Sequence, residues 1–228
     1  MKGVTAIVAA AGQGTRLGLG PKAFVKIGGM TLIEWVVSTL EPVVDRVIVA
    51  VPKGRVNEAQ LLIGNKADVI TGLSSRQSTI GLLLEHVNTK WVVIHDATRP
   101  FATENLIAET IAQVKQYKAV GTFIPNKVPI GLVGHSGMIT DSISSSDIKV
   151  SQSPQAYETD LLKTAYEIAQ NKDIEEQTTW QLLLKAMGNK VFPISGEEFN
   201  IKITTPIDLK FAHWLLENDE QLKQRSQK

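Results

Sequence analysis

Residues 4–22 constrain the chain more than any other stretch. Val4–Ala10 is an unbroken apolar run, the pattern of a strand buried on both faces of a parallel sheet. It empties into a turn of small residues, Ala11-Gly12-Gln13-Gly14, followed by Thr15-Arg16-Leu17-Gly18-Leu19-Gly20-Pro21-Lys22. Such a strand needs neighbours on both sides and helices on both faces, and the next hundred residues supply them. Thr31–Leu40 has helical spacing at Leu32, Trp35, Val36 and Leu40; Arg46–Val51 is a second buried strand, ended by Pro52. Val56–Ile63 reads as a helix, Asp68–Ile70 as a short strand and Ser78–His86 as a helix. Trp91–Ile94 is another buried strand running into His95-Asp96-Ala97-Thr98-Arg99-Pro100, then come a helix over Glu104–Lys115 and a strand over Val120–Ile124. This alternation predicts an α/β fold with an open, doubly wound, mainly parallel, Rossmann-like sheet. Ligands of such sheets sit beyond the carboxyl ends of the strands, so Ala10–Lys22 and His95–Pro100 belong on one edge.

Asn126–Ser146 breaks the rhythm. It is rich in Gly and Ser with short β-like pieces, and reads as a small β-arm leaving the body at about residues 126–150. Thr159–Asn171 and Thr179–Met187 look helical, Val191–Ile194 is a strand, Asp208–Leu216 a closing helix, and the polar tail from Asn218 reads as frayed. With 228 residues and no repeat or linker, residues 1–228 are expected to form a single domain carrying that arm.

Composition removes whole classes of function. The net charge of +1 gives no basic field for nucleic acid, so an anionic ligand must be held by locally placed Lys and Arg. Cysteine is absent, which excludes thiolate nucleophiles and Cys-ligated metals. The start has neither a cleavage site nor the about 20 apolar residues of a membrane span, and the expectation is a cytoplasmic protein that touches no membrane.

Three clusters could carry chemistry. After the first strand, small residues let the main chain approach a ligand and its N–H groups hold phosphate oxygens, while Arg16 and Lys22 stand where a triphosphate could be clamped. A dinucleotide fingerprint fails, because Leu17 stands where the third glycine belongs and the second strand ends in Val51-Pro52 without an acid. A Walker loop fails too, since Lys22 is followed by Ala23. In the second cluster Asp96 either coordinates Mg²⁺ that bridges phosphates or caps a helix, and Arg99 is expected to pair with a nearby carboxylate. His95 lacks the spacing of a zinc site. In the third, Phe199–Leu209, Lys202 is read on its own segment as an exposed edge lysine rather than one that reaches a site, and Thr205-Pro206 with Asp208 as a helix start. The four tryptophans read as core or interface residues.

AAGQGTRLG followed by Pro21-Lys22, then GLSSR, HDATRPF, QSPQAY and NIKITTPIDL, occur in the order found in the methylerythritol-phosphate cytidylyltransferases. The chain resembles that family from about residue 4 to residue 216, and the related ribitol-phosphate cytidylyltransferases share the order. The resemblance implies a nucleotidyltransferase domain, homodimerisation through the arm, and dependence on Mg²⁺. It implies backbone contacts from Ala10, Ala11, Gly12 and Gly14 to CTP, and charge stabilisation by Arg16 and Lys22 at the α-phosphate and the departing pyrophosphate. Asp96 would take the metal or a substrate hydroxyl, and Lys202 the incoming phosphate group. Gly72, Ser74 and Thr79 fall in the stretch that recognises base and ribose, with Thr79 at the family's hydroxyl position.

The departures fall mostly on the acceptor side. Leu73 and Ser75 stand where the family usually has a glycine and often an acid. Lys127–Gly131 lacks the arm's Asp-Thr pair, Ser144–Ser146 lacks an arginine, and Glu176–Thr179 does not reproduce the Thr-Asp-Asp stretch. The expected activity is transfer of CMP from CTP to a small phosphorylated alcohol with release of pyrophosphate, 2-C-methyl-D-erythritol 4-phosphate being the first acceptor. The alternatives are ribitol phosphate or another polyol phosphate feeding cell-envelope polymers, and a nucleotide-binding protein without transferase activity.

Overall fold

The computed structural model describes residues 3–15 and 17–225. Its centre is a seven-stranded sheet built from β1 (Val4–Ala9), β4 (Arg46–Val51), β5 (Asp68–Thr71), β6 (Trp91–Asp96), β7 (Ala119–Pro125), β10 (Lys149–Glu158) and β11 (Phe192–Ser195). The strand order is β11-β7-β10-β6-β1-β4-β5, and only β10 runs antiparallel to its neighbours. Two short pairs lie outside this sheet: β2 (Lys26–Ile27) with β3 (Met30–Thr31), and β8 (Ile130–Val133) with β9 (Ile139–Ile143). The second pair is the hairpin expected within residues 126–150, and Val133, Met138 and Ile139 are each about two-thirds exposed on it.

The period-2 alternation of β1 assigns the two faces. Val4, Ala6 and Val8 join one core with α1 (Leu32–Leu40), α2 (Val56–Ile63) and α4 (Glu104–Tyr117). Ile7, Ile48 and Ile94 face the other core with α3 (Arg76–Glu85), α5 (Thr159–Asn171) and α6 (Thr179–Met187). Helices thus cover both faces, as continuous apolar strands require. A third cluster packs α7 (Pro206–Asn218) and α8 (Glu220–Arg225) onto α1 around Trp35, Phe101, Ile203 and Leu222.

Two expectations need correction. Lys149–Glu158, in which only the motif QSPQAY was singled out and no element was expected, is the ten-residue strand β10 in the interior of the sheet. The tail expected to fray is helical through Arg225. Leu222 is buried, and the Arg225 guanidinium donates to Thr39 Oγ1 at 2.7 Å and caps the Pro100 and Ala102 carbonyls at 3.4 and 3.3 Å. Of the tryptophans, Trp35 and Trp91 are core, while Trp214 is exposed and stacked on Phe211. Among the described residues no helix is long and apolar enough to cross a membrane.

Candidate active site

The chain adds β4 and β5 on one side of β1 and then crosses to place β6 on the other. The gap between the carboxyl ends of β1 and β6 is therefore the topological switch point, the usual ligand crevice of an open α/β sheet. Ala9 and Asp96 are register partners there, so the chain from Ala10 to Gly14 leaves the sheet beside Asp96. Ala10 N–H donates to Ala50 O at 2.8 Å and Gly72 N–H to Val51 O at 2.8 Å, which fastens both turns to the end of β4.

Two glycines are required by close approach. At Gly14 (φ +73°) a Cβ would lie 1.9 Å from the Gly20 carbonyl oxygen and 3.1 Å from Lys22 Cγ. The loop folds back on itself there, so that the Lys22 stem lies against Gly14. At Gly72 a Cβ would lie 2.5 Å from Ala11 Cβ and 3.2 Å from Thr79 Cγ2, which brings the Gly72–Thr79 stretch against the first turn. The Thr79 hydroxyl is buried and turned inward: it accepts from Leu73 N–H at 3.0 Å and donates to Ser75 O at 2.7 Å. Its hydroxyl ties the loop together, whereas Ser74 and Gly12 are exposed. Arg16 lies outside the described residues.

Asp96 gathers cations from distant parts of the chain. Oδ1 accepts from Arg76 Nε at 3.1 Å and Nη2 at 3.0 Å, and Oδ2 from Lys202 Nζ at 2.7 Å. The side chains of Asp96, Arg76 and Lys202 are 13%, 29% and 42% exposed, so the carboxylate is the most enclosed of the three. Burial by itself would raise the Asp96 carboxyl, but Arg76 and then Lys202 outweigh it and hold it well below the usual carboxylate range. Burial also disfavours charge on Arg76; Asp96 more than offsets this, leaving the guanidinium above its ordinary value.

Lys202 reaches the site because its segment is pinned beneath it. Asn200 and Ile203 are fully buried, while Lys202 between them is exposed. Asn200 Nδ2 donates to Ser153 O at 2.7 Å and Gln152 Oε1 at 3.2 Å, and Ile203 N–H to Thr98 O at 2.8 Å. The reading of Lys202 as an edge lysine is thus corrected: the residue lies in a loop, and its ammonium turns inward to Asp96. Arg99 is also corrected. Its buried guanidinium donates to Asn200 O at 2.6 Å and Ser151 O at 3.1 Å, two carbonyls rather than a carboxylate, and so clamps the Lys202 segment to β10. His95 lies beneath, fully buried, with Nε2–H donating to Arg99 O at 3.0 Å; burial lowers its pKa to about 4, so the ring is neutral.

The family model for 2-C-methyl-D-erythritol 4-phosphate cytidylyltransferase (IspD) matches residues 4–218. The chain belongs to that family. It is therefore a nucleotidyltransferase enzyme. The IspD protein of Thermus thermophilus is 34% identical over 213 residues, covering 93% of this chain and 96% of the relative. That of Rhodococcus opacus is 35% identical over 220 residues, covering 94% and 95%. The crystal structure of the Thermus thermophilus enzyme superposes with a TM-score of 0.80 at 31% identity, over 93% of this chain and 98% of that one. The synthase structure from Anaerococcus prevotii superposes with a TM-score of 0.84 at 25% identity, over 94% and 96%.

Sequence reasoning passed over two members of this IspD-type cluster. Arg76 was only the last letter of GLSSR, yet it is the main partner of Asp96. Its visible signal is a cation in the first turn of a helix, just after the Ser75 cap, where the macrodipole favours an acid. Ser153 Oγ accepts from the Asp96 N–H at 3.0 Å and belongs to the strand that was missed. Asp208 is structural, as its spacing predicts: it closes a capping box with Thr205 at the start of α7. A separate cavity of about 790 Å³ lies between α3, α5 and residues 175–177, with Arg76 in its wall; neither the 10–22 turn nor the Lys202 segment lines it.

Proposed function

We propose that this enzyme transfers CMP from CTP to 2-C-methyl-D-erythritol 4-phosphate and releases pyrophosphate. The observation that carries the reading is the meeting, at one switch point, of the β1 glycine turn, Asp96 and Lys202 from 106 residues away. The relatives named for that reaction match almost end to end.

The backbone N–H groups of Ala11, Gly12 and Gly14 hold the triphosphate, with Gly72 and Ser74 against base and ribose; Ala10, whose N–H is already given to Ala50 O, meets the nucleotide through its carbonyl. Thr79 keeps that second loop in shape. Lys22 and Arg16 sit with the α-phosphate and the departing pyrophosphate, and Lys202 with the acceptor phosphate. A phosphate monoester is nucleophilic as it stands, so no side chain takes a proton from it. An acceptor oxygen forms a bond to the α-phosphorus of CTP as the bond from that phosphorus to the pyrophosphate oxygen breaks. What the protein contributes is alignment and fixed positive charge.

Among the described residues no cluster of three or more His, Asp or Glu side chains could cage a metal. A Mg²⁺ ion would be held by Asp96 together with substrate phosphate oxygens and water, the ordinary arrangement for that ion; Oδ1 already accepts two donors, and Oδ2, which accepts one, keeps a lone pair for it. Bound there it would supply charge neutralisation between phosphates. The exposed apolar residues of the β8–β9 hairpin are those of a homodimer interface. The reaction draws on CTP and so belongs in the cytoplasm.

Pyrophosphate release is to be measured with CTP and a panel of acceptors. Turnover with 2-C-methyl-D-erythritol 4-phosphate, at least tenfold better in kcat/KM than with ribitol phosphate, is the expected result (about 1.4 kcal/mol). Preference for ribitol phosphate would move the assignment to polyol phosphates, for which the rewritten Lys127–Gly131 stretch speaks. Silence with every acceptor alongside tight CTP binding would remove the transferase reading.

A further inference from the structure

An arginine–carboxylate pair normally forms a parallel fork in which two N–H groups take two oxygens. The pair here does not. Arg76 Nε and Nη2 both converge on Oδ1 of Asp96, at 3.1 and 3.0 Å, and Oδ2 is left to Lys202 at 2.7 Å. The third nitrogen, Nη1, points to Thr179 Oγ1 at 3.5 Å, and Thr179 is itself hydrogen-bonded to Tyr166. A chain of contacts thus runs from Tyr166 on α5 through Thr179 on α6 and Arg76 on α3 to the carboxylate and then the ammonium.

Local helix physics does not account for Arg76. It occupies the first residue of α3, whose capping box is closed by Ser75 and Ser78, and the first turn contains no acid. A cation there opposes the macrodipole and belongs at the other end of a helix. The position makes sense only through its tertiary partner. The same turn carries Gly72, Ser74 and Thr79, so Arg76 also ties the second nucleotide loop to the end of β6.

We infer that Arg76 is a positioning residue for the transfer reaction: by gathering its donors on Oδ1 it turns Oδ2 of Asp96 toward Lys202 and fixes where that ammonium stands. The inference rests on the assignment of Lys202 to the acceptor phosphate given above. Without Arg76 the carboxylate is free to rotate, and Lys202 follows it or is drawn onto both oxygens. The cost falls on alignment, and therefore on kcat, and much less on CTP binding, which the backbone of the first turn supplies.

The test is steady-state kinetics with CTP and 2-C-methyl-D-erythritol 4-phosphate on Arg76→Met, Arg76→Lys, Thr179→Asp and Lys202→Met. Arg76→Met is expected to lower kcat about a hundredfold, the effect of a displacement near 1 Å, with the KM for CTP changed by less than about threefold. Arg76→Lys keeps the charge without the planar group and recovers about tenfold of that loss. Thr179→Asp leaves Arg76 in place and offers Nη1 a competing carboxylate; Thr179 is fully buried, so the new acid is held there by pairing with the guanidinium, and kcat should fall about tenfold with KM unchanged. Arg76→Lys, the mildest change, decides the matter if Arg76→Met or Thr179→Asp does not fold: kcat about tenfold below wild type supports the inference, and kcat within about twofold overturns it. The inference is overturned if Arg76→Met and Thr179→Asp both keep kcat within about twofold of wild type, or if Arg76→Met changes KM alone. Lys202→Met separates the two claims. Should it turn over normally, the functional assignment falls; should it be inactive while the Arg76 and Thr179 variants are normal, only the role of Arg76 falls.

Discussion

Asn200→Ala tests how the fold delivers Lys202. Asn200 is fully buried, and its Nδ2 donates to Ser153 O at 2.7 Å and Gln152 Oε1 at 3.2 Å. Gln152 Oε1 also accepts from Glu197 N–H at 3.2 Å, so it keeps a partner after truncation. Ser153 O lies where the β10–β7 register shifts between Gln152 and Gln155, and it loses its donor. An ordinary hydrogen bond lost contributes about 1 kcal/mol and a stranded buried carbonyl about 1–3 kcal/mol, so the variant should be about 2–4 kcal/mol less stable. For a chain of this size that corresponds to a fall of roughly 4–16 °C in Tm. Urea unfolding should show a lower midpoint at unchanged m, and kcat should drop as the segment two residues before Lys202 loosens. Asn200→Asp, nearly isosteric, sharpens the test: it replaces the donor by a carboxylate oxygen facing two acceptors and should be worse than Ala. A loss below about 0.5 kcal/mol for Asn200→Ala, or an Asp variant as stable as wild type, would refute the reasoning.

Stability should fall in acid because of His95. Its pKa is about 4 when folded and about 6.5 when unfolded, so between those values only the unfolded chain takes the proton; the stabilisation is complete above pH 6.5 and shrinks by about 2 kcal/mol at pH 5 and about 3 kcal/mol at pH 4. Urea midpoints for metal-free wild type and His95→Gln at pH 7 and pH 5 check this, and parallel curves for the two would contradict it. Gly14→Ala forces a left-handed side chain toward the Gly20 carbonyl and should weaken CTP binding by about 2 kcal/mol, roughly thirtyfold, in titration calorimetry; unchanged affinity would show that the loop is not the triphosphate site. Lys22→Ala should cut pyrophosphate release by about a hundredfold or more at similar Tm, and near-normal turnover would contradict its assignment.

The parallel part of the sheet was legible because buried strands announce themselves: VTAIVA, RVIVAV and WVVIHD carry little but apolar residues. The strand Lys149–Glu158 was not, because KVSQSPQAYE has the composition of a loop. It is buried through side-chain hydrogen bonds instead of apolar character. Gln152 Nε2 donates to Glu197 O, Gln155 Nε2 to Gln152 O and Tyr157 OH to Gln155 Oε1, so polar groups enter the core already satisfied. Periodicity cannot register that. The helical tail escaped for a similar reason: EQLKQR has a single apolar anchor, and what holds it is Leu222 in the third core and one guanidinium over Trp35. In the site, the turn after β1 and the HDATRP segment were readable as an edge, since two parallel strands must end together. The inward turn of Lys202 was not, because it depends on Asn200 and Ile203 finding partners on β10 and at Thr98.

One carboxylate with several cations around it has a further consequence for how the cleft changes on binding. Arg76, Lys202 and Arg99 all act electrostatically on Asp96, in a chain whose net charge is only +1, so positive charge is concentrated here by placement rather than by composition. In the free protein Asp96 answers that charge. Arg76 is the more enclosed partner and holds its oxygen by two donors, whereas Lys202 is 42% exposed and holds the other by one. Lys202 keeps one foot in solvent and a single donor on the carboxylate, so on the reading proposed above it exchanges the carboxylate for a phosphate more readily than Arg76 could. Arg76 cannot leave as cheaply, because its charge would then stand unanswered at the positive end of α3. The two cations therefore divide the work by their burial. One keeps the carboxylate in place through the cycle, and the other waits on it until an anion with more charge arrives.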